Sequence, residues 1–147
     1  MKTLRHKQKS SEISKKKKLR KRLKVSIREN IIRQRAIETF NKTGKITKDH
    51  KLHLKITTFL NRIPTIEELD YFIKKFGIVP RCYLTGTKIN LNNTNSYHLD
   101  HIIPRSQGGK NTFENMGILL YKINISKGSM TDKEFIKLCQ AVVNYNS

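Results

Sequence analysis

The feature that most constrains this chain is a pair of short apolar segments separated by a long polar loop. Residues 97–103 predict one strand, and Gly117–Tyr121 predict a second. The intervening residues 104–115 are too polar and too rich in glycine for regular structure. A helix is predicted to follow and to carry Asn124 and Lys127. These elements indicate an α+β fold with a small sheet.

The first predicted strand carries an acidic residue joined to a histidine. Asp100 can hold a hard divalent cation through its carboxylate oxygens, and His101 belongs to the residue type whose unperturbed pKa best suits a general base near neutral pH. Because neighbouring side chains of a strand point to opposite faces, the pair can direct a ligand toward a metal and a base toward an attacking water. His98 shares the strand face of Asp100. Its alternative roles are an additional metal ligand, a phosphate contact and an ordinary strand histidine.

Two asparagines follow this pair at fixed distances. Asn115 lies 14 residues after His101, and Asn124 lies 23 residues after it. With these residues the sequence resembles the HNH nuclease family, as found in phage and homing endonucleases and in the HNH domain of RNA-guided CRISPR effectors. The resemblance covers roughly residues 80–140, and the segment Cys82–Gly86 is also similar to those proteins. The matching positions are Asp100, His101, Pro104, Gly108, Gly109, Asn115, Asn124 and Lys127.

The resemblance implies a ββα-metal core in which His101 is the general base and Asp100 and Asn124 bind one Mg²⁺ or Mn²⁺ ion. Asn115 completes the catalytic set by bracing the loop that orients His101. The implied reaction is hydrolysis of a DNA phosphodiester with water as the nucleophile, where the ion neutralises charge on the phosphate and on the departing 3′ oxygen. Asn124 stands at a position where other relatives have histidine, a variant that the family also uses.

The cysteine content argues against a structural zinc site. Many relatives bind zinc with two Cys-x-x-Cys pairs, whereas this chain has only Cys82 and Cys139. We therefore expect no structural zinc and a core held by packing alone. Two cysteines and no secretory segment also indicate a reducing compartment. We expect an intracellular protein, of a bacterial or phage-infected cytoplasm or of an organelle, and not a secreted one.

Positive charge is concentrated ahead of the candidate site. The formal net charge is +20, and residues 1–60 hold 20 Lys and Arg against 4 Asp and Glu. Such a surface favours a polyanion, because each cation that neutralises a phosphate releases a condensed counterion. A membrane is disfavoured because residues 15–24 contain only two leucines. The basic run is also typical of a nuclear localisation signal or a solubilising tail. The expected nucleic-acid contacts are Lys15, Lys16, Lys17, Lys18, Arg20, Lys21, Arg22, Arg105 and Lys127.

Three segments are predicted along the chain. A basic arm at residues 1–24, disordered or helical, precedes a mostly helical region at residues 25–79 and an HNH-like domain at residues 80–147. Residues 1–14 lack apolar periodicity and are expected to be disordered when unbound. Helical spacing of apolar residues begins near Leu19 and ends near Phe40, before the helix stop at Thr43-Gly44.

Further helices are predicted on both sides of the candidate site. One spans residues 47–61, and its His50 and His53 are read as ordinary surface residues. Capping-box patterns at Thr65 and at Thr131 predict the starts of two more helices. The faces expected to be buried in these two helices are Ile66, Leu69, Ile73 and Phe76 in one, and Phe135, Leu138 and Val142 in the other.

The pattern as a whole predicts a DNA endonuclease that depends on a divalent metal and nicks one strand per active site. We expect a monomer or a weak homodimer, since the sequence has no apolar heptad repeat that would indicate a dimer interface. A non-enzymatic DNA- or RNA-binding protein is the main alternative, and intact Asp100, His101 and Asn124 argue against it. An accessory nuclease module of a larger assembly is a second alternative, which the basic N-terminal region disfavours.

Overall fold

The computed structural model describes the backbone of residues 2–147 and the side chains of residues 11–147. The fold is α+β, with helices around one small antiparallel sheet. The described elements are α1 (Lys2–Thr43), α2 (Lys51–Leu60), α3 (Ile66–Phe76), β1 (Tyr97–His101), β2 (Met116–Leu120), α4 (Tyr121–Lys127) and α5 (Asp132–Asn146), with a 3-10 turn at Arg105–Gln107.

Helix α1 is longer than the sequence predicted. It begins at Lys2 instead of near Leu19, so residues 2–14 are helical, and the expected boundary between residues 24 and 25 falls inside it. No proline or glycine interrupts residues 2–43, which leaves nothing in the sequence to end the helix earlier. Gly44 ends it with a φ of +68°, and its amide donates to the carbonyl oxygen of Phe40 at 2.8 Å.

Only the end of α1 packs against the rest of the protein. Every side chain from residue 11 to residue 35 is exposed, whereas Ala36 and Phe40 are buried. The predicted apolar stripe that starts at Leu19 and Leu23 is about half exposed, so it does not pack on a neighbouring element of the described chain. Residues 11–35 of α1 therefore form a solvent-exposed surface that is predominantly basic.

One hydrophobic core joins the helices to the sheet. It extends in sequence from Phe40 to Leu119 and includes Ile56 and Phe59 of α2, Phe72 of α3 and Tyr97 of β1. The predicted boundary between residues 79 and 80 is therefore crossed by a shared core. His50 is buried and not a surface residue, because its Nδ1 accepts a hydrogen bond from the amide of Leu52 and caps α2.

Both predicted capping boxes are present, at Thr65 and at Thr131. The buried faces of the two helices are smaller than expected. Ile66 is 76% exposed, while Leu69 and Phe72 of α3 are buried. In α5 only Phe135 is buried, since the helix packs through its first turn and leaves Leu138 and Val142 exposed.

Strands β1 and β2 are antiparallel and short. The register pairs Tyr97 with Leu120, Asp100 with Gly117 and His101 with Met116. Strand β1 ends at His101 instead of Ile103, where the chain turns into the polar loop. No helix in the described part of the chain is long and apolar enough to cross a membrane.

Candidate active site

Asp100 lies near the end of β1, opposite a glycine of β2. A Cβ atom on Gly117 would lie 2.4 Å from the ring of Tyr83, so glycine at this position leaves room for the ring to cross the sheet. The Tyr83 hydroxyl donates to Asp100 Oδ2 at 3.3 Å. The position of the Asp100 carboxylate therefore depends on the close approach at Gly117.

A buried lysine holds Asp100 as well. Lys127 Nζ donates to Asp100 Oδ2 at 3.0 Å and lies 3.7 Å from Asp132 Oδ1. The Lys127 side chain is fully buried, and these two carboxylates compensate its charge. The ammonium group of Lys127 is thus paired with Asp100, while the phosphate contact expected of this residue stays a prediction.

Tyr83 links the two carboxylates. Its hydroxyl reaches Asp132 Oδ1 at 3.0 Å in addition to Asp100, so one phenolic proton serves two acceptors. Burial, followed by the negative charge of Asp100, raises the pKa of Tyr83 above its usual range. The tyrosine therefore stays protonated and acts as a hydrogen-bond donor to the site.

Asn124, on α4, contacts β1 through a histidine. Its Nδ2 lies 3.0 Å from His98 Nδ1. Burial, with the nearby charge of Lys55, lowers the pKa of His98, which favours the neutral ring that can accept a hydrogen bond from an amide nitrogen. The Nδ1 atom of His98 is thus engaged with Asn124, and the histidine orients the asparagine.

Two oxygen atoms remain free on Asp100 and Asn124. Neither Asp100 Oδ1 nor Asn124 Oδ1 takes part in a hydrogen bond with another described residue. Hard divalent cations accept carboxylate and amide oxygens and retain several waters, so these donor types fit such an ion. No group of three or more His, Cys, Asp or Glu side chains within residues 11–147 has the arrangement of a metal site.

His101 is fixed by two neighbours outside its own strand. Its Nε2 lies 2.9 Å from Asn111 Oδ1, in the loop between the strands. Its ring stacks on Phe59 of α2, with centroids 4.2 Å apart and planes 21° apart. Because an amide oxygen only accepts hydrogen bonds, Nε2 of His101 carries the proton in this contact and Nδ1 keeps the lone pair.

Asn115 closes the loop that follows His101. Its Oδ1 accepts from the amide of Ile103 at 2.8 Å, and its Nδ2 donates to the carbonyl oxygens of Ile103 and Lys110 at 3.1 and 3.0 Å. A Cβ atom on Gly109 would overlap the Ile103 carbonyl group, so the loop closes tightly at this glycine. These contacts are those expected of a residue that braces the loop.

Comparison with known families bears on this arrangement. The family model described as HNH endonuclease matches residues 82–132, roughly a third of the chain, including Asp100, His101, Asn115 and Asn124. Residues 82–132 therefore match the HNH endonuclease family. No curated protein and no solved structure matched the chain. An HNH endonuclease domain indicates nuclease activity, and HNH nucleases generally use a divalent metal ion and act on nucleic acid.

Two adjoining depressions open at the HNH residues. A groove of about 520 Å³ runs between α2 and β1, and a smaller depression of about 300 Å³ lies beside Asp100 and Lys127. His101 and Arg105 line both of them. Arg105 is exposed, as expected of a residue that contacts a phosphate. The candidate base therefore lies where the two depressions meet.

Seven of the basic residues predicted to bind nucleic acid lie on α1, outside the residues that match the HNH family. At 1.5 Å of rise per residue, Arg22 lies about 20 Å along the helix from Ala36, where α1 begins to pack. All of these side chains are exposed. They are Lys15, Lys16, Lys17, Lys18, Arg20, Lys21 and Arg22.

Sequence reasoning missed four side chains that shape the HNH site: Phe59, Tyr83, Asn111 and Asp132. Tyr83 lies in the Cys82–Gly86 segment that resembles the family, so its role had a detectable signal. Asp132 follows the Thr131 N-cap and gave no signal beyond helix initiation. Phe59 and Asn111 contact His101 through tertiary packing, and no local sequence pattern predicts these contacts.

Proposed function

We propose that the protein is a divalent-metal-dependent endonuclease that hydrolyses DNA phosphodiester bonds. The observation that carries this proposal is that Asp100 and His101 line the same depression of about 300 Å³, together with the cation of Arg105. A carboxylate, a histidine and a cation around one open space are the groups that attack by water on a phosphate requires.

His101 is the general base. Its Nε2 proton is held by Asn111, so the lone pair on Nδ1 takes a proton from the attacking water. Stacking on Phe59 fixes the plane of the ring, which limits the directions in which the base can act. Asn115 acts through the loop and not on the substrate.

Asp100 and Asn124 hold the metal ion, Mg²⁺ or Mn²⁺, through the oxygens that make no hydrogen bonds with described residues. A bound ion of this kind neutralises charge on the phosphate and on the departing 3′ oxygen. Lys127 and Tyr83 occupy Oδ2 of Asp100, which leaves Oδ1 as its available ligand atom. His98 positions Asn124 through the amide nitrogen, which leaves the amide oxygen free.

The order of elements supports a ββα-metal core made of β1, β2 and α4. These elements follow one another along the chain and carry the proposed base on β1 and a proposed ligand on each of β1 and α4. One such core holds one base, so a single protomer cleaves one strand at a time.

The exposed basic surface of α1 favours a second candidate function, nucleic-acid binding without catalysis. That function would need none of the polar contacts that hold Asp100 and His101. Cleavage activity in the presence of a divalent metal distinguishes the two functions.

Metal binding tests the proposed ligands. Calorimetry with Mn²⁺ should detect one site in the wild type and none in the Asp100→Asn, Asn124→Ala double variant, because both proposed ligand oxygens are changed. Asp70→Asn is the matched control, since Asp70 is an exposed carboxylate on α3 and should leave Mn²⁺ binding unchanged. Mn²⁺ binding of equal strength in the double variant would show that other groups hold the ion.

A further inference from the structure

The groove between α2 and β1 lies beside the HNH domain but is formed in part by residues outside it. Lys55, Thr58 and Phe59 of α2 line one side, and the family match begins only at residue 82. The groove adjoins the active-site depression, because His101 and Arg105 line both. A substrate that reaches His101 therefore also has access to α2.

The charge of this groove fits an anion. Lys55 and Arg105 line it, and none of the described residues that line it is acidic. Lys55 is half-buried, and its Nζ donates to the Tyr97 carbonyl oxygen at 3.0 Å and lies 5.1 Å from the centre of the Tyr97 ring. An ammonium group has three donors, so this hydrogen bond orients Lys55 and leaves two donors for a ligand.

Lys55 lies on the same side of α2 as the residue that packs against the candidate base. Phe59 stacks on His101, and Lys55 precedes Phe59 by one helical turn on the same face. Side chains four residues apart on a helix have Cβ atoms about 5–6 Å apart. Lys55 Nζ contacts the carbonyl oxygen of Tyr97, four residues before His101 on β1, which is roughly 13 Å along the strand at 3.3 Å per residue. Lys55 would therefore meet a different phosphate from the one at His101.

We propose that the α2–β1 groove binds the strand that is cleaved, with Lys55 contacting a phosphate that flanks the scissile one. This inference rests on the proposed function, because it takes the reacting phosphate to be at His101. It assigns a substrate-binding role to a helix that precedes the matched HNH residues. The ligand is a phosphodiester backbone, and recognition is through charge without base contacts.

The first test removes the charge of Lys55. Binding of a short DNA duplex is measured by fluorescence anisotropy in EDTA over a range of salt concentrations, so that no cleavage occurs. Lys55→Gln should weaken binding about tenfold, as expected when a hydrogen bond to a charged group is removed. The slope of log K against log salt should fall by about 0.9. Lys55→Arg should restore both, and Lys74→Gln, an exposed lysine of α3, should change neither.

The second test adds a positive charge to the groove and leaves the hydrogen bond from Lys55 to Tyr97 in place. Thr58 lines the groove, whereas the adjacent Thr57 is not among its lining residues. Thr58→Lys and Thr57→Lys carry the same net charge, so a difference between them reports position alone. Thr58→Lys should tighten binding and steepen the salt slope relative to Thr57→Lys. Equal binding by these two variants, or unchanged binding by Lys55→Gln, would contradict the proposal.

Failure of the groove proposal can be distinguished from failure of the proposed nuclease function. If the wild type cleaves DNA while the Lys55 and Thr58 variants bind normally, the strand does not follow this groove although the enzyme is a nuclease. If these variants change binding as expected while no metal supports cleavage, the groove binds DNA and the catalytic proposal is wrong.

Discussion

His101 has its proton distribution set by a single side chain, Asn111. The contact of 2.9 Å between His101 Nε2 and Asn111 Oδ1 favours the tautomer with hydrogen on Nε2. A free imidazole interconverts between two tautomers, and only one of them presents Nδ1 as an acceptor. We therefore propose that Asn111 is a positioning residue, which would act on the reaction through the proposed base, His101.

We expect Asn111→Ala to mix the two tautomers of His101. Nitrogen chemical shifts should report hydrogen on Nε2 in the wild type and a mixture in the variant. Since a neutral hydrogen bond contributes about 0.5–1.5 kcal/mol, the cleavage rate at saturating DNA should fall by up to about tenfold.

Lys110→Ala is the matched control for Asn111, because Lys110 is an exposed side chain of the same loop and its carbonyl contact with Asn115 is kept. It should retain the tautomer and the cleavage rate of the wild type. A wild-type His101 with hydrogen on Nδ1 would contradict the assignment of the base atom.

At the residue scale, the sequence located Asp100, His101, Asn115 and Asn124, since their spacing is visible along the chain. It did not locate the side chains that hold them. Lys127 was expected at a phosphate as a position of the HNH-like motif, and only the folded structure places it beside two carboxylates. Contacts between elements depend on packing, which local patterns do not specify.

Helix α1 differs from the other elements in how little of it packs. Among its described side chains, those that are buried lie near its C-terminal end. The sequence predicted its apolar spacing but not its start, because residues 1–14 lack apolar periodicity. The capping boxes of α3 and α5 were predicted correctly, since a cap is formed within four residues. The exposure of Leu138 and Val142 on α5 was not predicted, because the burial of a helix face depends on which elements surround it.

The basic surface of α1 should supply much of the sequence-independent DNA affinity. Removing residues 1–24 should weaken DNA binding and flatten its salt dependence, by about 0.9 in the slope for each phosphate that the protein no longer neutralises. A variant with Lys15, Lys16, Lys17 and Lys18 changed to Gln keeps the helix length and should shift the slope in the same direction. An unchanged slope in both proteins, measured by anisotropy, would show that α1 does not contact the DNA backbone.

At the scale of the whole molecule, a shared core joins the helices to the HNH domain. Phe40 of α1 and Phe59 of α2 lie in the same cluster as Tyr97 of β1, so the helices fix the position of the strand that carries Asp100 and His101. The described part of the molecule thus combines one candidate catalytic centre with an extended basic surface. Since one centre acts on one phosphate, nicking of a single strand is the expected reaction of a monomer.

The most direct test of the proposed mechanism is cleavage of supercoiled plasmid by the wild type and by His101→Ala. In Mg²⁺ or Mn²⁺ the wild type should produce open circles first and linear DNA later, and EDTA should stop the reaction. Removal of a general base typically costs about 10²–10⁴-fold in rate, so His101→Ala should cleave more slowly by about this factor while it binds DNA like the wild type. Cleavage by His101→Ala at the wild-type rate would contradict the mechanism.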